Sequence, residues 1–286
     1  MTSDRREANL DQQTVSGFGD EWSRFTQAEL NAEVRAQIFQ DYFSCFDWNG
    51  LPEAALGADI GCGSGRWAQV VAPRVGQLLL VDASPAALAV ARENLEGVPN
   101  VRFINASVGA LPIEDGSLDF AYSLGVLHHV PDTAAAIASV AGKLKPGAPF
   151  LVYLYYAFDN RGPAYRALWR ASDLLRRVIS RLPHAPRYVV SQGIAGLVYW
   201  PLARLAACLE RVGALPAAWP LAYYRDKPFY VMRTDALDRF GTRLEQRFTR
   251  REIVAMLESA GFCDIRFSER APYWCATGVK RGRAAS

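Results

Sequence analysis

Cysteine is sparse and shows no pairing pattern. Cys45, Cys62, Cys208, Cys263 and Cys275 are scattered, odd in number and include no CxxC spacing, which argues against a disulfide framework and a cysteine zinc site. Histidine is sparser still, with three in 286 residues, and no cluster of carboxylates suggests a divalent ion. No metal is expected. The net charge of +3 is too small to imply a nucleic-acid partner. The opening MTSDRREANLDQQ lacks the apolar core of a signal peptide. No internal repeat or low-complexity tract is present. These absences predict a reducing, cytoplasmic setting. Half of the residues are hydrophobic and about a fifth are charged, the composition of an ordinary globular chain.

Residues 1–16 read as a polar arm, and Trp22 to Phe46 as one or two helices from the spacing of Phe25, Leu30, Val34, Ile38 and Tyr42. Short apolar runs then alternate with helical ones. GADIG (57–61), QLLLVD (77–82), VRFIN (101–105), LDFAYSLG (118–125) and APFLVYLYY (148–156) read as buried strands. Between them, Gly65–Ala72, Ser84–Gly97 and Asp132–Gly147 read as helices. Ser84 caps the second of these, and Pro85 takes its first position. Such alternation implies βαβ units and a parallel sheet. From about 157 to 245 the pattern breaks into helical blocks separated by prolines. It resumes with a capped helix over 249–261 and two strands able to pair as an edge hairpin. The expected organisation is an N-terminal helical cap (1–50), a core (51–156), a helical insertion (157–245) and a C-terminal completion of the core (246–286).

The first strand runs into Gly61-Cys62-Gly63-Ser64-Gly65. Glycine at alternate positions permits a tight turn and removes Cβ atoms where a ligand approaches the backbone. This is G-x-G-x-G; the dinucleotide fingerprint G-x-G-x-x-G would need glycine where Arg66 stands. Asp82 ends the second strand, twenty-one residues after Gly61. An acid there can accept hydrogen bonds from both ribose hydroxyls of a nucleoside.

In order, DIGCGSG, LLLVDASPAAL, LPIEDGSLDFAYSLGVLHHV and KLKPGAPFLVYLYY resemble the motifs of class I S-adenosylmethionine (SAM)-dependent methyltransferases. The resemblance covers roughly 57–156 and 249–280. It implies an α/β, Rossmann-like, mostly parallel seven-stranded sheet with an antiparallel edge hairpin, flanked by the helical N-terminal segment and carrying the helical insertion after strand 5. It also implies SAM as cofactor. Carried over, Asp59, Gly61, Cys62, Gly63 and Gly65 would lie along the methionine part of the cofactor, Asp82 would grip the ribose and Ala83 would sit beside the adenine. Ser107, followed by Val108, stands where the family often has an aspartate on the adenine amine; its hydroxyl can accept the same bond. Ser123 and Leu124 match the strand end beneath the sulfonium.

Methyl transfer from a sulfonium gains from alignment in a dry pocket, and a base helps where the acceptor is a hydroxyl. His128, adjacent to His129 after the fourth strand, is the candidate base, with a packing or loop-fixing role as the alternative. A small-molecule acceptor, methylated on oxygen or nitrogen, is the leading expectation. A lipid or lipid-linked acceptor at a membrane face, and a SAM-binding protein without turnover, remain alternatives. In the insertion, Tyr188–Leu209 has Arg204 as its only charge, and Arg166, Arg170, Arg176, Arg177 and Arg181 stud the helix before it. A lid helix is expected there, with an amphipathic hairpin over 164–209 touching a membrane as the alternative.

Overall fold

A computed structural model describes residues 9–27, 31–159, 161–216 and 219–282. By its internal contacts the chain divides into one unit of residues 1–157 and 244–286 and another of residues 158–243.

The first unit is built on a seven-stranded sheet. Its strands are β1 (Leu56–Ile60), β2 (Gln77–Asp82), β3 (Val101–Asn105), β4 (Phe120–Leu124), β5 (Pro149–Tyr153), β6 (Phe262–Phe267) and β7 (Cys275–Lys280), in the order β3-β2-β1-β4-β5-β7-β6. β1 to β5 are mutually parallel, and β7 runs antiparallel between β5 and β6. Central strands buried on both faces explain the unbroken apolar runs; Leu78, Leu80, Phe120, Tyr122 and Phe150 are fully buried. Gly57 is required by this packing, because a Cβ there would lie 2.0 Å from the Phe120 ring. The order reverses between β1 and β4, and at such a switch point a crevice opens beyond the carboxyl ends of the strands.

Helices α1 (Gln12–Arg24), α2 (Ala32–Phe43), α3 (Ala68–Val71), α4 (Pro85–Asn94), α5 (Thr133–Lys143) and α10 (Arg250–Ser259) complete this unit. The Ser84 hydroxyl accepts from the Ala87 amide at the start of α4, and Thr249 and Glu252 form a reciprocal capping box on α10. Two expectations are corrected. The polar arm is shorter than residues 1–16, because Asp11 caps a helix that begins at Gln12; residues 1–8 lie outside the described residues. The helix after the glycine turn is one turn long, and a 3₁₀ turn, Ala72–Arg74, follows it with Pro73 in place.

The second unit holds α6 (Pro163–Ile179), α7 (His184–Ile194), α8 (Trp200–Arg211) and α9 (Phe229–Gly241). A π-helical turn, Ala195–Tyr199, joins α7 to α8. Pro201 has no amide hydrogen to continue the α-helical ladder, which accounts for the irregular turn just before it. Ile179, Ala195, Tyr199, Ala203, Met232, Ala236 and Phe240 form this unit's core. Arg176 differs from Arg166, Arg170, Arg177 and Arg181 in being buried. Its Nε donates to Asp173 Oδ1 at 2.7 Å, and one terminal nitrogen donates to the carbonyls of Thr242 (3.0 Å) and Arg243 (3.2 Å) just after α9. Burial acts to raise the Asp173 pKa, but Arg176, Arg177 and Arg239 prevail and hold it below the usual carboxylate range. Among the described residues, no helix is long and apolar enough to cross a membrane.

Candidate active site

The glycine turn is fixed from within. Gly61 and Cys62 donate their amides to the Val81 carbonyl at 2.7 and 3.0 Å, and Gly65 donates to Cys62 O at 2.9 Å. The Gly63 amide donates to Asp82 Oδ2 at 2.9 Å, while Ser84 N donates to Asp82 Oδ1 at 2.8 Å. Asp82 therefore joins the glycine turn to the start of α4, and each of its oxygens retains a lone pair for a ligand hydroxyl. Burial pushes the Asp82 carboxyl up, against the two amides that favour its ionised form.

All three glycines have left-handed φ angles of +78°, +54° and +73°. A Cβ on Gly61 would strike Val126 and one on Gly65 would strike Leu95. One on Gly63 would lie 2.8 Å from the Trp22 indole of α1. The glycines thus admit protein neighbours closely, in addition to any ligand. The Arg66 guanidinium lies 5.7 Å from the centre of the Trp22 ring and 4.4 Å from that of Trp67. The Asn94 amide donates to Ser64 O (2.9 Å) and to Thr26 O (2.6 Å), tying α4 to the turn and to the segment after α1.

Asp59 is buried on β1, and its Oδ2 has no hydrogen-bond partner among the described residues. Burial pushes its pKa up to about 8; the nearby Tyr122 hydroxyl, which makes no geometrically proper hydrogen bond, opposes the shift. The unfolded carboxyl ionises near pH 4 while the folded one keeps its proton to about 8. Folding stability should therefore fall as pH rises through that window, on the order of a few kcal/mol. Thermal melts of Asp59→Asn should show its melting temperature gaining on the parent from pH 5 to pH 8; a constant difference would contradict the shift.

Ser107 is half-buried and accepts from Gly109 N at 3.2 Å, capping a 3₁₀ turn that contains the buried Val108. Ala83 is half-buried beside Asp82. Cys62 is buried, and its thiol pKa is pushed well up by burial. Ser123 is buried with its hydroxyl donated to Ile60 O at 2.8 Å, a cross-strand tie, and Leu124 is buried next to it.

The histidine pair divides its roles. His129 Nδ1 lies 2.7 Å from Leu244 O, and its ring lies 5.0 Å from Phe18. His128 is fully buried, and neither ring nitrogen has a hydrogen-bond partner among the described residues. It stacks on Tyr155 at 3.8 Å and lies 6.4 Å from Tyr153. Burial, then His129 and Arg247, drive its pKa well below the ordinary histidine value and keep the imidazole neutral. No group of three or more metal-ligating side chains occurs among the described residues.

Sequence reasoning missed Trp22, Asn94 and Tyr122 as neighbours of the site, and none of them gave a usable signal; Tyr155, which the sequence places where strand five runs out toward the site, stacks on His128. The parallel sheet, its reversed edge strand, the glycine turn and the acid closing β2 define a class of α/β proteins that bind a nucleoside cofactor at the switch point.

The description "Methyltransferase domain" matches residues 58–152, which run from β1 into β5. The ubiquinone biosynthesis O-methyltransferase of Azotobacter vinelandii is 31% identical over 164 residues, covering 51% of this chain and 69% of that protein. A 37.1 kDa protein in transposon TN4556 of Streptomyces fradiae is 38% identical over 179 residues, covering 61% of this chain but 47% of its relative. Among solved structures, the CurJ carbon methyltransferase superposes with a TM-score of 0.52 at 11% identity, over 91% of this chain and 58% of that one. A chain of the complex between the Haloferax volcanii Trm112 methyltransferase activator and a methyltransferase does so with a TM-score of 0.51 at 13% identity, over 92% and 98%. At these identities the structural likeness is one of fold. The chain belongs to the class I SAM-dependent methyltransferase family.

Proposed function

We propose that this methyltransferase transfers the methyl group of SAM to a hydroxyl of a small-molecule acceptor, with His128 as the base. The observation that carries the reading is the neutral, buried His128 with two partnerless ring nitrogens, just beyond the carboxyl end of β4. A hydroxyl must shed a proton as it is methylated, and a neutral imidazole can take it. The O-methyltransferase activity in the name of the Azotobacter relative supports the choice of oxygen.

The residues present suit the cofactor. Asp59 offers an unpartnered carboxyl oxygen, Ser64 an unpartnered buried hydroxyl, and Asp82 two oxygens with capacity for ribose hydroxyls. We assign Asp59, Gly61, Cys62, Gly63 and Gly65 to the methionine side of the cofactor. Asp82 and Ala83 are assigned to the ribose and adenine, and Ser107 and Val108 to the adenine rim. Ser123 and Leu124 form the strand end nearby and act through packing. Bound SAM supplies an electrophilic methyl group on a good leaving group. The protein's part is to align the acceptor, exclude water and accept the hydroxyl proton at a His128 ring nitrogen.

Two measurements test this. In calorimetric titration, Asp82→Ala should weaken SAM binding about 30- to 150-fold, the loss of a charge-assisted contact worth about 2–3 kcal/mol. Unchanged affinity in a folded variant would remove Asp82 from the site. With methyl-labelled SAM and small phenols or small amines as acceptors, label should appear in aryl methyl ethers. Label that reached only nitrogen or carbon would overturn the hydroxyl reading.

A further inference from the structure

The 158–243 unit buries a core of its own but leaves many large apolar side chains of α6, α7 and α8 exposed. Along α7 and α8 the buried positions include Ala195, Ser191, Ala203 and Ala206. Leu197 is 82% exposed, and Val190, Val198, Trp200, Leu205 and Val212 are exposed as well. Every large hydrophobic side chain that stands exposed among the described residues lies between Leu168 and Phe229. On α7 and α8, the exposed positions 190, 193, 197, 201, 205, 208 and 212 follow the three-and-four spacing of one helix face, and none is charged.

α6 repeats the arrangement with charge added. Its buried face carries Asp173, Arg176 and Ile179. The outer surface has an apolar stripe of Leu168, Ala171, Leu175 and Val178, with Leu174 beside it. Along its flank run the exposed Arg166 and Arg170, with Arg181 just past the helix, while the exposed Arg177 is tied back to Asp173 Oδ2 at 2.9 Å. Both α6 and α7 pack on α9, which holds the interior side of each. Charge is concentrated in the same unit. Residues 158–243 carry fourteen Lys or Arg against six Asp or Glu, a net +8, while the whole chain is only +3.

An apolar stripe flanked by arginines suits an interface in which hydrocarbon lies below phosphate headgroups. A purely apolar partner would leave the arginines without a role, and a nucleic acid would leave the leucines exposed. We propose that the 158–243 unit docks on the surface of a bilayer containing anionic lipid, with the apolar stripes of α6 and α7–α8 at the acyl boundary and Arg166, Arg170 and Arg181 on the headgroup phosphates. None of its residues is among those assigned to the cofactor or to proton transfer, and the proposal does not depend on the acceptor.

The test is flotation of the full chain with vesicles of phosphatidylcholine alone, or with about a third phosphatidylglycerol, at low and moderate salt. The chain should float with the anionic vesicles and bind neutral ones at least tenfold more weakly. Arg166→Glu, Arg170→Glu and Arg181→Glu together should reduce binding at least a hundredfold, because basic groups near an anionic surface act cumulatively. Leu174→Gln, Leu175→Gln and Val178→Gln together should release the protein even at low salt. SAM affinity, measured alongside, should stay unchanged in both variants and report that the cofactor unit is intact. Failure to float with anionic vesicles would overturn the proposal, as would equal binding by the variants. So would a dimer, seen by light scattering, that the leucine substitutions dissolve, because a second copy would then cover the face.

Discussion

Gly63→Val should leave a folded protein with no measurable SAM binding by calorimetry. Two effects combine at this position. Its φ of +54° disfavours any side chain, and a Cβ would lie 2.8 Å from the Trp22 indole. The ring must move or the turn must deform. Deformation would draw the Gly63 amide away from Asp82 Oδ2, at present 2.9 Å distant, and disturb the assigned ribose site. Gly97 separates strain from contact: its φ is +78°, but a Cβ there meets nothing within 4 Å. Gly97→Ala should cost about 1–2 kcal/mol of stability and leave SAM affinity alone. Gly63→Ala should impair both. Normal binding by Gly63→Val would show that the turn does not shape the cofactor site.

The second large effect is expected at His128. In His128→Asn, kcat on a phenolic acceptor should fall about 10²- to 10⁴-fold, with the SAM dissociation constant unchanged. Part of the loss should return at alkaline pH, where the acceptor ionises without help. Burial holds the imidazole neutral well below its ordinary range, so the parent enzyme should keep its rate as pH falls through 6.5. Folding stability behaves oppositely: below the unfolded histidine's pKa, near 6.5, only the unfolded chain takes up the proton, so stability declines on acidification. A variant with unaltered kcat would assign His128 to packing. A loss with no alkaline recovery would mean that it positions the acceptor rather than its proton.

Much of the cofactor half was legible because its signals are local. QLLLVD coincides with β2 residue for residue, since a strand covered on both faces writes its length as an apolar run; VRFIN coincides with β3 in length, but β3 is the edge strand and none of its residues is fully buried, against the expectation of a buried strand. Ser84, Thr249 and Glu252 announced their helices through cap chemistry. The start of α1 is hidden in the sequence because Asp11–Ser16 is mostly polar, and the helix is held by packing on α4, over sixty residues away, with Gly19 against Ser84 and Ala86. Trp22 on Gly63 is a similar long-range contact. In the 158–243 unit periodicity marked α6 as amphipathic but not which face turns inward. Hydrophobicity alone points to the leucines, whereas the Asp173–Arg176 pair and the carbonyls after α9 set the opposite choice.

The path of the backbone out of and back into the sheet unit has a topological consequence. Ala157 donates to Phe248 O at 2.9 Å and Phe248 donates to Tyr155 O at 2.8 Å, so the departing and returning segments lie side by side as a short parallel ladder. A crossover of about a dozen residues suffices to connect parallel segments. The chain instead uses the 86 residues from 158 to 243. For a flexible loop, that excess adds only on the order of 2 kcal/mol of closure entropy. Connectivity alone therefore does not require so long an excursion. The ladder at Tyr155–Ala157 and Phe248 brings the two ends of the excursion together whatever lies between them, so the sheet unit's closure rests on these few hydrogen bonds.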